Sequence, residues 1–223
     1  MRKARLIYLW NMSVGSSYRS VFTKDRRRSL YVAILIFALS LIFQYYASIY
    51  SAQRATQFVG DIILDNTPVV NLNLVIIEGA LWAILMSAIL VFSRPKYLTF
   101  TLKTVAVFLT VRSFFVAVTH LGIYPDQLIP GNGFFDQVYV SFGLEAGYFF
   151  SAHTGLPLLM GLIFWRERFW RWLYITISAL FGISVLLAHV HYSIDVFAAP
   201  FMVYSIIEFS KFLFKEDYAL AQV

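Results

Sequence analysis

The stretch AHVHYSIDVFAAPFMVYSIIEFSKFL, residues 188–213, decides the reading of this chain. From position 191 onward it is long and apolar enough to cross a bilayer, since a spanning helix needs roughly 17–25 such residues. Yet it carries His191 and Asp195 near its start. Ionisable side chains in an apolar helix are costly unless they face one another or a polar cavity. The segment therefore reads as a membrane helix that carries reactive groups.

Five further apolar runs lie outside it, at about 30–50, 69–92, 99–122, 147–165 and 172–189. Together the six predict an all-α polytopic membrane protein, a six-helix bundle forming one domain over 29–215. A basic segment at 1–28 precedes it and a tail at 216–223 follows. The composition agrees: 60% of the 223 residues are hydrophobic and 13% are charged, against roughly 25% charged in a soluble domain. With no cysteine, disulfides, zinc–thiolate sites and a cysteine nucleophile are excluded.

Charge placement sets the expected orientation. With the N-terminus taken as cytoplasmic, every basic residue of the 18 except Arg54 and Arg112 falls on the cytoplasmic side. Such a bias follows the positive-inside rule. Both termini are then cytoplasmic, and Asp61, Asp65, Asp126, Asp136 and Glu145 lie outside. Residues 1–28 mix Leu6, Ile7, Leu9 and Trp10 with basic residues, as an interfacial segment does. No apolar run with a small-residue cleavage site follows the basic N-terminus, so no cleaved signal peptide is expected. KDRRR at 24–28 is a topology signal or a contact for anionic head groups. The net charge of +6 fits a membrane face better than nucleic acid.

The chemistry is expected on the outer side. His153, in FFSAHTG (149–155), lies near the outer end of the fourth predicted helix, and His191 begins the sixth. The 38 positions from 153 to 191 allow one pass down and one up. Each pass of nineteen residues rises roughly 28 Å, about one hydrocarbon thickness. Both histidines thus return to one face. His191 and Asp195, at i and i+4, share a helical face. A carboxylate on one imidazole nitrogen fixes the tautomer and frees the other as a nucleophile. His153 could protonate a leaving oxygen and then activate an acceptor. A lone histidine at a helix end is more often an interfacial anchor, and an i,i+4 pair is often structural. The convergence of the two motifs favours phosphoester chemistry through a phosphohistidine.

Other residues are secondary. Arg112, in the outer half of the third predicted helix, offers a planar fork for phosphate oxygens, or snorkels to an outer aspartate. His120 could touch a head group or sit at the interface. Glu78 could pair with Arg112 or line a cavity. His189 is read as structural or supporting. The 123–146 connection, with Pro125, Pro130, Gly131 and Gly133, could cover the site and select the head group. No metal or other cofactor is implied, because phosphohistidine chemistry needs none and the outer carboxylates are scattered.

These motifs resemble those of the sphingomyelin synthase family, within the type 2 phosphatidic acid phosphatase superfamily. AHVHYSIDV is similar to AH-x-HYT-x-DV with serine for threonine, and FFSAHTG to FSGHT with alanine for glycine. Asp61 and Asp65 in GDIILDN resemble the acidic motif after the first helix. Arg112 in RSFFVAVTHL resembles the third-helix motif that opens with arginine. The likeness covers roughly residues 30–214. It implies a six-helix lipid phosphotransferase in which His191 and Asp195 attack the donor phospholipid. His153 protonates the departing diacylglycerol and deprotonates a ceramide or diacylglycerol hydroxyl. Substrate contacts would come from Arg112, Asp61, Glu145 and His120.

The chain also departs from the pattern. Gly147 stands where the family has aspartate, with Glu145 two residues earlier. Val185 stands where the phosphatase branch has arginine, and the sole Arg-Pro, Arg94-Pro95, falls at the cytoplasmic face. The partners expected are membrane lipids, not nucleic acid. Two other readings use the same sequence: a lipid phosphate hydrolase with water as acceptor, and a transporter or non-catalytic lipid-binding protein.

Overall fold

A computed structural model describes residues 23–55, 57–141 and 147–222. The described residues form helices and loops, with no strand among them. Helix α1 is Lys24–Arg54. Helix α2, Leu74–Ser93, opens with a π-helical turn, Leu74–Glu78. Helix α3 is Pro95–Val118, with Pro95 in its first turn, where a missing N–H costs nothing. Helix α4 is Phe134–Ser141 and α5 is Ala152–Ile163. Helices α6, Arg168–Leu187, and α7, Ser193–Leu213, follow, and α8 is Lys215–Gln222.

Among the described residues five helices are long and apolar enough to cross a membrane: α1, α2, α3, α6 and α7. They carry large apolar side chains outward, such as Leu35, Ile84 and Phe201, as lipid-facing helices do. The expected fourth spanning helix at 147–165 is shorter than predicted. Only Ala152–Ile163 is helical, about 18 Å of rise, less than a bilayer core. The reason lies at its N-terminal end, where the carbonyls of Gly147 and Phe150 accept from a buried arginine instead of from a helical turn. The second run likewise begins late, at Leu74 rather than 69, because Val70 N–H is taken by the Leu187 carbonyl.

The core lies where α3, α5, α6 and α7 meet, around Phe108, Phe150, Leu159, Phe164 and Tyr174. Small residues permit the close approach. A Cβ on Gly155 would stand 2.9 Å from the Phe108 ring. Ser178 Oγ donates to the Thr154 carbonyl at 2.7 Å, fixing α6 on α5. Helix α1 is tied to α3 by Ser113 Oγ donating to Gln44 Oε1 at 3.1 Å.

At the opposite end from the histidines the helices are joined by charge. Arg94 pairs with Glu167. Lys103 Nζ reaches Asp217 Oδ2 at 2.6 Å and Ser29 Oγ at 2.7 Å, so α8 is bound to α1 and α3. The segment read as a tail at 216–223 is thus largely a docked helix, with Ala221 buried. Of the basic segment at 1–28, residues 1–22 lie outside the described residues; Lys24 onward belongs to α1.

Candidate active site

The α6–α7 connection creates the centre of the site. Helix α7 begins at Ser193 with Tyr192 as N-cap, so His191 sits before the helix and not on its first turn, as the sequence had suggested. His189 takes a left-handed backbone, φ 56°, which turns the chain between the two helices. Asp195 is the third residue of α7 and completes its capping box: one carboxylate oxygen accepts the Tyr192 N–H at 3.2 Å. The same oxygen, Oδ2, meets His191 Nδ1 at 3.1 Å. The i,i+4 pair therefore forms through helix-capping geometry and not through a shared helical face.

Asp195 also holds the loop before α5. Its other oxygen accepts the Phe149 N–H at 3.0 Å, and its carbonyl accepts the Ser151 N–H at 3.0 Å. With a relative exposure of 0%, this carboxylate is tolerable only because its lone pairs are engaged. Ser151 in turn caps α5, accepting the Thr154 N–H. His153, one residue into α5, is thereby set against His191, ring centroids 5.9 Å apart. His153 Nε2 meets the Tyr139 hydroxyl at 2.9 Å, while its Nδ1 is buried with no partner among the described residues. His191 keeps Nε2 as the ring nitrogen free to meet a substrate, because Nδ1 faces Asp195.

Arg112 reaches the same loop from α3. Nε donates to the Phe150 carbonyl at 3.0 Å and one Nη to the Gly147 carbonyl at 2.7 Å. Two of its donors are thus spent on the backbone that positions His153. Among the described residues it forms no ion pair with Glu78. Gly147 takes φ 98°, and a Cβ there would lie 2.8 Å from Val116 Cγ1. Position 147 is consequently confined to glycine. Gly147→Ala is expected to destabilise the fold by about 1–3 kcal/mol and to lower activity by displacing the 147–151 loop. Thermal unfolding in detergent and turnover check this.

Asp61 and Asp65 are structural neighbours of the site. Asp61 Oδ1 accepts from Ile63 and Leu64 N–H, and Oδ2 accepts from Ser193 N–H at 2.7 Å, at the start of α7. A carboxylate there complements the helix dipole. Burial alone would raise its pKa, but the donors from Ser193, Leu64 and Ile63 outweigh it and hold the carboxyl below its ordinary 3.8. A lowered folded pKa means stability fully present above 3.8 and lost as pH falls below it, through the lower folded value. Wild type is thus expected to be more stable than Asp61→Asn at pH 6, with the gap narrowing below about 3.8; detergent melting curves across pH measure it. Asp65 accepts from Asp61 N–H and from the Tyr124 hydroxyl, and that hydrogen bond pushes the Tyr124 phenol up to about 12. His189 packs on Tyr124 and meets Thr67 Oγ1 at 3.4 Å.

His120 packs edge-on against Tyr50 at 5.6 Å and its Nε2 meets the Ala117 carbonyl, at the end of α3. Neither contact is with the two site histidines. Glu145 lies outside the described residues. Two tyrosines escaped the sequence reading: Tyr139 on His153, and Tyr148, whose ring stands edge-on to His191 at 6.3 Å. Nothing in a chain with 14 tyrosines marks these two. Both line a cavity of about 270 Å³ between the end of α1, the first turn of α2 and the 121–130 segment, with Ile76, Ile77 and Leu128 in its wall. Part of the 123–146 connection thus borders the site.

Among the described residues no three histidine, aspartate or glutamate side chains gather as a metal site. No protein-family model, curated protein or solved structure matches the chain.

Proposed function

We propose that this protein is an intramembrane lipid phosphotransferase that moves a phospho-head group from a phospholipid to ceramide or diacylglycerol. The observation that carries the reading is the His191 Nδ1–Asp195 Oδ2 contact of 3.1 Å with the His153 ring 5.9 Å from His191. His191 Nε2 attacks phosphorus. A P–N bond forms, the P–O bond to diacylglycerol breaks, and His153 gives its proton to the leaving oxygen. The acceptor hydroxyl then attacks phosphorus, the P–N bond breaks, and His153 takes the hydroxyl proton. Asp195 holds the His191 tautomer and offsets the positive charge on its ring.

The largely apolar cavity lined by Tyr139 and Tyr148, the neighbours of His153 and His191, supports a lipid acceptor over water. The charge bias of the sequence supports a site on the outer or luminal side, with both termini cytoplasmic. The test is purified protein in vesicles with several phospholipid donors, with and without ceramide and diacylglycerol, read by mass spectrometry. A new phospholipid that requires the acceptor is expected. Soluble phosphate or phospho-alcohol formed without regard to acceptor would make the protein a hydrolase. Absence of any product would remove the enzymatic reading.

A further inference from the structure

The two site histidines have different partners. His191 Nδ1 faces a carboxylate, Asp195 Oδ2, at 3.1 Å. His153 Nε2 faces a phenol, the Tyr139 hydroxyl, at 2.9 Å. Tyr139 is 2% exposed and comes from α4, a helix in the connection between α3 and α5. His153 Nδ1 is buried and unpartnered among the described residues, a rare condition for a polar atom.

We infer that Tyr139 is a positioning residue for His153, and that Nδ1, not Nε2, is the nitrogen of His153 that exchanges protons with substrate. The inference rests on the phosphotransfer reading above. The inference assigns the tautomer in which Nε2–H donates to the phenol oxygen throughout, so that only Nδ1 is left to cycle. Nδ1–H gives its proton to the departing alcohol oxygen as the P–O bond breaks, and the neutral Nδ1 accepts the proton of the attacking hydroxyl. A neutral phenol thus backs the His153 ring and a carboxylate backs the His191 ring. Opposed environments on two like groups are how acid and nucleophile roles separate in one site.

The experiment compares two donors bearing the same phospho-head group. One is a phospholipid, whose alkoxide leaving group needs a proton. The other is the p-nitrophenyl ester, whose leaving group needs none. Tyr139→Phe is expected to lower kcat on the phospholipid about 10- to 100-fold, part of the range a general acid supplies, with little change in KM. On the p-nitrophenyl ester, read as a single turnover without acceptor so that only the first step is seen, its release of nitrophenolate stays within about twofold of wild type. His153→Gln should show the same donor selectivity, more strongly. A parallel fall on both donors, whether from misfolding or from a merely structural role, overturns the inference, as does unchanged activity on both. Wild type inert toward both donors would instead defeat the phosphotransfer reading itself.

Discussion

His191→Ala is expected to reduce turnover of every phospholipid donor by about 10⁴-fold or more, the scale on which loss of a covalent nucleophile is felt. The substitution removes the imidazole that meets Asp195 and that attacks phosphorus in the proposed mechanism. His191 sits in a connection and not inside a helix, so the fold should survive. Its partner Asp195 keeps three other bonds, to Phe149 N–H, Tyr192 N–H and, through its carbonyl, Ser151 N–H. Product formation in vesicles, with the unfolding midpoint as a control for folding, measures the effect. A folded variant retaining more than about one per cent of activity would contradict the nucleophile assignment.

Asp195 is the second position with a large expected effect, and its two variants separate its two duties. Asp195→Ala strips buried acceptors from two backbone N–H groups and from His191. Each orphaned donor costs about 1–3 kcal/mol, so a loss of about 3 kcal/mol or more is expected. The 147–151 loop should loosen with it, as seen by faster hydrogen exchange at Phe149. Asp195→Asn keeps an amide oxygen for one of those donors, yet brings no charge to the His191 ring. Its stability should fall by less, while turnover falls by about 10³–10⁴-fold, the scale seen when a histidine loses its carboxylate partner. Equal activity of Asp195→Asn and wild type would show that the carboxylate serves the fold alone.

The spacing of His191 and Asp195 announced a contact, and the contact exists, but its cause was misread. Periodicity places i and i+4 on one helical face; it does not reveal that Tyr192 ends the connection and that Asp195 is spent as a helix cap. Cap formation is decided by where the backbone leaves the αR region, and an apolar run hides that point. The same blindness extended FFSAHTG into a full spanning helix. Residues 147–151 are apolar enough to continue the helix, but the Arg112 donors and Asp195 bind their backbone groups, a competition between distant segments that no local window contains.

Arg112 was visible as an arginine inside an apolar run, because such a residue must find partners. That two of its partners are carbonyls of the 147–151 loop could not be read, since carbonyls leave no trace in side-chain identity. Asp61 stood out as an acidic residue in a turn; its hold on the first turn of α7 spans more than a hundred residues of sequence. Tyr139 and Tyr148 left no signal. Aromatic residues crowd every part of this chain, and it is the packing of α4 and the 147–151 loop that brings these two against His153 and His191.

The central claim is a covalent phosphohistidine at His191, and trapping it is the most direct test. Purified protein would be mixed with a short-chain phospholipid donor, without acceptor, and quenched in base, where a phosphoramidate survives. Peptide mass spectrometry would then locate the adduct. The mechanism requires the mass of the phospho-head group on the peptide carrying His191, at the ring, absent from His191→Ala and cleared on addition of acceptor. An adduct confined to His153, or turnover with no adduct on either histidine, would contradict it.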